Sequence, residues 1–188
     1  MQNQVTGQRI CLYNAVEMDA VLERMARQIA VLLNPSQPVM MIGILRRGAP
    51  IADRLFQKLQ QHHPHSNISL MQLQIKRYAD DLSLLHPETK LTETPEIDAL
   101  DLSNTIVLLV DDVLYEGYSM LRAVEYLSKK HPAAIRTVVL VDRSANKLPI
   151  KADVAGLRLE IAPNDIIECN VPPYEAEFKI ELCKPDRR

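Results

Sequence analysis

The chain has 188 residues, 47% hydrophobic and 24% charged, which suits one compact domain over residues 1–188 and excludes a disordered or low-complexity polypeptide. A formal net charge of −2 excludes a general positive field for nucleic acid or acidic membranes, so any anion site has to be local. Three widely spaced cysteines, Cys11, Cys169 and Cys183, argue against a disulfide framework or a zinc site and fit a reducing cytoplasm.

The N-terminal stretch MQNQVTGQRICLY lacks the basic-then-apolar pattern of a secretion signal, and no apolar run approaches the roughly 18 residues of a membrane span. A soluble protein is expected. Residues 15–33 place Val21, Leu22, Met25, Ile29 and Leu32 at helical spacing, and Asn34-Pro35 ends the pattern. VMMIGI, Val39 to Ile44, is short and continuously apolar, as a buried parallel strand should be. RRG then leads into a helix with Pro50 near its first turn. His62, His63, Pro64 and His65 read as a polar connection rather than a metal site, and ISLMQLQI as a strand whose shifting apolar spacing points to a bulge near Met71.

Residues 79–104 carry two prolines, many acids and no sustained periodicity, which predicts a long mobile loop of the kind that closes over sites. TIVLLV is a second buried strand, DDVLYEGY a loop, and SMLRAVEYLSKKH a helix whose end carries Lys129, Lys130 and His131 toward the dipole's negative pole. IRTVVLVD is a third buried strand, and LRLEI and EFKIEL are short strand candidates beyond it. Alternating strands and helices predict an α/β fold, an open, doubly wound, mostly parallel sheet whose ligands collect at the strands' carboxyl ends. That edge gathers GILRRG, VDDVLYEGY and the residues after VLVD.

Asp111 and Asp112 stand where an apolar strand ends, a place that suits vicinal hydroxyls or a cation. Gly117 permits a positive φ, and successive amides opening a helix form a nest for an anion. The stretch VLLVDDVLYEGYS resembles the phosphoribosyl pyrophosphate motif of the type I phosphoribosyltransferases. GILRRGAPIADRL is similar to the family's pyrophosphate-side loop and helix. RYADDLS and LVDRSANKLPIKADVAG resemble one branch, the bacterial pyrimidine-operon attenuation proteins that double as uracil phosphoribosyltransferases.

The resemblance, running from about Val39 to Gly156, implies the type I fold with a small hood and a long flexible loop. It implies transfer of ribose 5-phosphate from phosphoribosyl pyrophosphate to a pyrimidine-like base such as uracil, with Mg2+ carried by the substrate and no metal site of the protein's own. Asp111 and Asp112 would hold the ribose hydroxyls, and Tyr115, Glu116, Gly117, Tyr118 and Ser119 would wrap the 5′-phosphate. Leu45, Arg46 and Arg47 would line the pyrophosphate loop, Arg77, Tyr78, Asp80 and Asp81 the lid, and Asp142 to Pro149, Arg143 included, would border the base. Partners implied are phosphoribosyl pyrophosphate and a nucleobase or nucleotide, with no membrane, and a homo-oligomer is expected. RNA finds little support in the acidic balance, although folding can assemble a basic face.

Two departures bear on activity. The branch usually reads Thr, Gly, Arg, Thr in its phosphate loop, where this chain has Glu116, Gly117, Tyr118 and Ser119; Ala79 stands where the branch typically has arginine, with Arg77 two residues away as a substitute. A carboxylate about 6 Å from a dianionic phosphate costs roughly 1.4 kcal/mol in water-like surroundings and about 5 kcal/mol at an effective dielectric of 20. The expectation is a weakened enzyme that Glu116→Thr with Tyr118→Arg improves. The competing readings on the same fold are a non-enzymatic nucleotide-sensing or RNA-binding regulator and an assembly protein.

Overall fold

In the computed structural model, residues 7–62, 67–76, 90–91, 97 and 99–186 are described. Arg77, Tyr78, Ala79, Asp80, Asp81 and His63 to His65 lie outside them, as does most of the segment read as a loop. The strands are β1 (Gly7–Tyr13), β2 (Val39–Ile44), β3 (Ile68–Leu73), β4 (Ile75–Lys76), β5 (Lys90–Leu91), β6 (Ile106–Leu114), β7 (Ala134–Asp142), β8 (Val154–Arg158), β9 (Ile166–Asn170) and β10 (Lys179–Pro185). The helices are α1 (Ala15–Leu32), α2 (Gly48–His62) and α3 (Tyr118–Ser128).

The apolar runs β2, β6 and β7 form the middle of a parallel five-stranded sheet in the order β3-β2-β6-β7-β8. Continuous burial on both faces is why β2, residues 106–110 of β6 and residues 138–141 of β7 are apolar without interruption. Alternation sorts their side chains: Met41, Leu108 and Val110 join the cluster under α1 and α2, while Ile42, Ile44, Val107 and Leu109 join the one under α3. The α1 start is set by Asn14, whose side chain accepts from the amides of Val16 and Glu17 while Glu17 bonds back to the Asn14 amide. Met18, Leu22, Met25 and Ile29 then fill the core.

Several sequence expectations need correction. β3 pairs with β2 residue for residue from Val39↔Ile68 to Ile44↔Leu73, so there is no bulge near Met71; the strand instead stops at Leu73 before the short β4. The expected loop is partly core: Ile97 and Leu102 are fully buried against α3 and the sheet, and Lys90–Leu91 pairs with β4. α3 stops at Ser128, so Lys129 is its cap and Lys130 and His131 lie beyond it, with Lys130 over the Tyr126 ring at 5.4 Å. His62 belongs to α2 and bonds Glu23 of α1 at 2.8 Å. The strand candidates LRLEI and EFKIEL become β8 and β10, each displaced by two or three residues.

The N-terminal stretch, not read as a strand, pairs with the other end of the chain. β1, β10 and β9 form a small antiparallel sheet, Gly7 opposite Pro185 and Lys179 opposite Asn170. Arg9 bonds Glu168 across it. Among the described residues, no helix is long and apolar enough to cross a membrane.

Candidate active site

Asp111 and Asp112 are part of β6, which runs on to Leu114 with Val113 opposite Val141 and Leu114 opposite Asp142. Aspartate is a poor strand former, so the sequence stops the strand at Val110; pairing with β7 carries it four residues further. Both carboxylates are buried, at 2% and 6% exposure. Asp111 Oδ1 accepts the Asp112 amide and Asp112 Oδ1 the Val113 amide, both at 2.9 Å. Neighbours along a strand face opposite ways, and these two acids line different cavities.

Asp111 borders a cavity of about 180 Å³ walled by residues 113–120, which contains Tyr115, Glu116, Gly117, Tyr118 and Ser119. Gly117 caps α3 with φ of 96°, the left-handed conformation that glycine adopts without strain. The loop therefore turns directly from strand into helix and aims the first α3 amides at the cavity. Asp112 borders a cavity of about 800 Å³ between the sheet's carboxyl edge and the small sheet, shared with Arg9, Arg47, Cys169, Glu175 and Lys179.

Arg46 and Arg47 are not loose surface charges. Arg46 lies over the Tyr174 ring at 5.0 Å, and Arg47 forks onto Glu175, with Nε 3.3 Å from Oε2 and Nη2 on Oε1. Glu175 Oε2 also accepts the Val171 amide at 2.9 Å. Burial alone would raise the Glu175 carboxyl pKa, but Arg47 and the Val171 amide together hold it below the ordinary range. The hydrogen bond that Arg47 donates to Glu175 correspondingly raises the Arg47 pKa. Leu45 precedes them, with a cis Leu45–Arg46 peptide. Glu175 and Tyr174 were not singled out in the sequence, since NVPPYEAE has no periodicity and lies far along the chain from Arg47.

Asp142 ends β7, 8% exposed, and accepts the Ser144 amide at 2.8 Å. Arg143 lies over the Tyr115 ring at 4.2 Å and donates to the Asp165 carbonyl. Glu116, the apparent misfit of the loop, is half of an ion pair: Lys147 Nζ is 2.6 Å from Oε1. The repulsion worked out for an unpaired carboxylate is therefore an upper bound. Asp111 and Asp112 offer the hard oxygen donors that Mg2+ prefers, and Mg2+ typically takes one or two carboxylates beside substrate phosphates.

A parallel sheet with buried acids at its carboxyl edge, a glycine turn opening a helix and a pair of arginines beside them fits a phosphoribosyltransferase. Residues 12–177 match the family model described as "Phosphoribosyl transferase domain", and the chain belongs to that family, in the branch of the pyrimidine-operon attenuation proteins. The "Bifunctional protein PyrR" of Clostridium acetobutylicum is 33% identical over 168 residues, 88% of this chain and 92% of that one. The protein of the same name from Deinococcus radiodurans is 31% identical over 185 residues, 97% of this chain and 98% of its own. Among solved structures, the hypoxanthine phosphoribosyltransferase of Trypanosoma cruzi superposes with a TM-score of 0.74 at 18% identity, covering 97% of this chain and 94% of that one. That of Staphylococcus aureus does so at 0.73 and 17%, covering 98% and 96%. At such identities the likeness concerns the fold.

Proposed function

We propose that this protein transfers ribose 5-phosphate from phosphoribosyl pyrophosphate to a pyrimidine-like base such as uracil in the cytoplasm. The C1–O bond to pyrophosphate breaks, a C1–N bond to the base forms, and the base gives up its N–H proton. The observation that carries the reading is the division of space around the acid pair, with the anion loop on the Asp111 side and Arg47 on the Asp112 side. A ribose laid between them has its 5′-phosphate at residues 115–119 and its pyrophosphate toward Arg46 and Arg47. Asp111 then meets the 3′-hydroxyl and Asp112 the 2′-hydroxyl. Leu45 shapes the arginine loop, while Asp142, Arg143 and the residues to Pro149 border the base.

Catalysis on this reading is positioning and charge stabilisation, with no protein nucleophile. Mg2+, when bound with the substrate, offsets the charge of the pyrophosphate. Asp111 and Asp112 fix the ring and, as carboxylates, favour positive charge developing at C1. The second reading, a nucleotide-sensing or RNA-binding regulator working as a homo-oligomer, draws on the Arg47–Glu175 pair, because the arginine meant for pyrophosphate already holds a carboxylate. Calorimetric titration with phosphoribosyl pyrophosphate plus Mg2+ and with uridine monophosphate, alongside turnover of labelled uracil, separates the two. Binding of both with turnover supports the enzyme; uridine monophosphate binding alone supports the regulator.

A further inference from the structure

The loop of residues 143–150 is fastened to the phosphate loop at several points. The Arg143 amide donates to the Leu114 carbonyl at 3.0 Å and the Lys147 amide to the Glu116 carbonyl at 3.1 Å. Leu148 and Ile150 close on Gly117, each with Cβ 3.6 Å from where a Gly117 Cβ would stand. The Lys147 ammonium completes the set at 2.6 Å from the Glu116 carboxylate. The pair is lopsided: the Glu116 side chain is 17% exposed and that of Lys147 is 65% exposed. The carboxylate is the largely buried partner, and the ammonium is the exposed one.

We propose that Lys147 is the charge-compensating positioning residue of the phosphate loop, neutralising Glu116 so that the loop accepts the 5′-phosphate of a pentose. This rests on the phosphoribosyltransferase reading and extends it to a residue on the base-side loop. Removing Lys147 takes one positive charge from beside the loop, and removing Glu116 takes one negative charge from it. The hydrogen bond and charge of Glu116 also hold the Lys147 amine protonated above the usual lysine range, so the compensation persists through neutral pH.

The two single substitutions therefore act in opposite directions. Calorimetric titration with ribose 5-phosphate should find Lys147→Gln about tenfold weaker than wild type, from one uncompensated charge at loop distance. Glu116→Gln should bind several-fold tighter, the double variant should return to within about threefold of wild type, and Lys147→Arg should retain affinity. Ribose, which lacks both the phosphate and the base, titrated in parallel, should show none of these changes. If both single variants weaken ribose 5-phosphate alike, or shift ribose equally, the pair is a structural clasp and the proposal is overturned. If wild type binds ribose 5-phosphate but all variants match it, the proposal alone fails; if wild type binds neither ribose 5-phosphate nor phosphoribosyl pyrophosphate, the functional reading fails and this inference with it.

Discussion

Replacing Glu175 with alanine should destabilise the protein and, at the same time, tighten its hold on pyrophosphate. The carboxylate accepts from Arg47 through both oxygens and from the Val171 amide at 2.9 Å, and Val171 itself is fully buried. A hydrogen bond to a charged group contributes roughly 1.5–3 kcal/mol, discounted here because the Arg47 and Glu175 side chains keep 28% and 20% of their exposure. With the orphaned amide added, the loss is about 2–3 kcal/mol. In a chain of this size that lowers Tm by about 4–12 °C. Glu175→Gln keeps an acceptor for Val171 and should lose about half as much.

The pH dependence follows from the lowered Glu175 pKa. A carboxyl held below its unfolded value contributes stability above about pH 4.3, lost as pH falls through the folded value. The gap in Tm between wild type and Glu175→Ala should accordingly be full at pH 7 and narrow steadily below pH 4. Pyrophosphate affinity should rise about two- to tenfold in the variant, since Arg47 no longer has to leave a partner. Differential scanning fluorimetry and calorimetry check both. A Tm within 1 °C of wild type, or a pH-independent gap, would refute the reasoning about the pair; weaker pyrophosphate binding would refute Arg47 as its ligand.

Asp112→Asn should cost affinity for ribose 5-phosphate but not for its 2-deoxy analogue, whereas Asp111→Asn should weaken both, because the two acids lie on opposite sides of β6; each amide can still accept the backbone bond, so melting temperatures should move little. Gly48→Ala should destabilise by about 1–3 kcal/mol in a denaturant titration, since its Cβ would lie 2.6 Å from the Val110 carbonyl oxygen and push the arginine loop off the acid strand. Gly117→Ala meets only ordinary contacts at 3.6 Å, so its effect, about 1–2 kcal/mol, should come from φ alone and should weaken 5′-phosphate binding with it.

The parts legible in the sequence are those whose physics is local. β2, residues 106–110 of β6 and residues 138–141 of β7 are buried on both faces and so are apolar without interruption, and the glycine turn after the acids is set within a few residues. What escaped depends on distant partners. β1 alternates weakly, and its pairing with β10 joins the two ends of the chain. The continuation of β6 through two aspartates is decided by β7 alongside it. Glu116 read alone is an anion in the wrong place; its counter-charge comes from a loop beyond α3 and β7. Arg46 and Arg47 carried no sign that Tyr174 and Glu175 would receive them.

Cys169 gives the protein a gauge of whether its cavity is filled. It is 3% exposed on β9, at the wall of the cavity it shares with Asp112, while Cys11 is exposed and Cys183 buried. Burial first, and the nearby Asp112 charge second, push the Cys169 thiol pKa well above the usual range. Thiolate at this position is scarce, and the little surface the residue exposes faces the cavity it lines. The rate at which a maleimide captures Cys169, well behind the rapid capture of Cys11, should therefore fall when a ligand fills the cavity between Arg47 and Asp112, a readout that needs no installed probe.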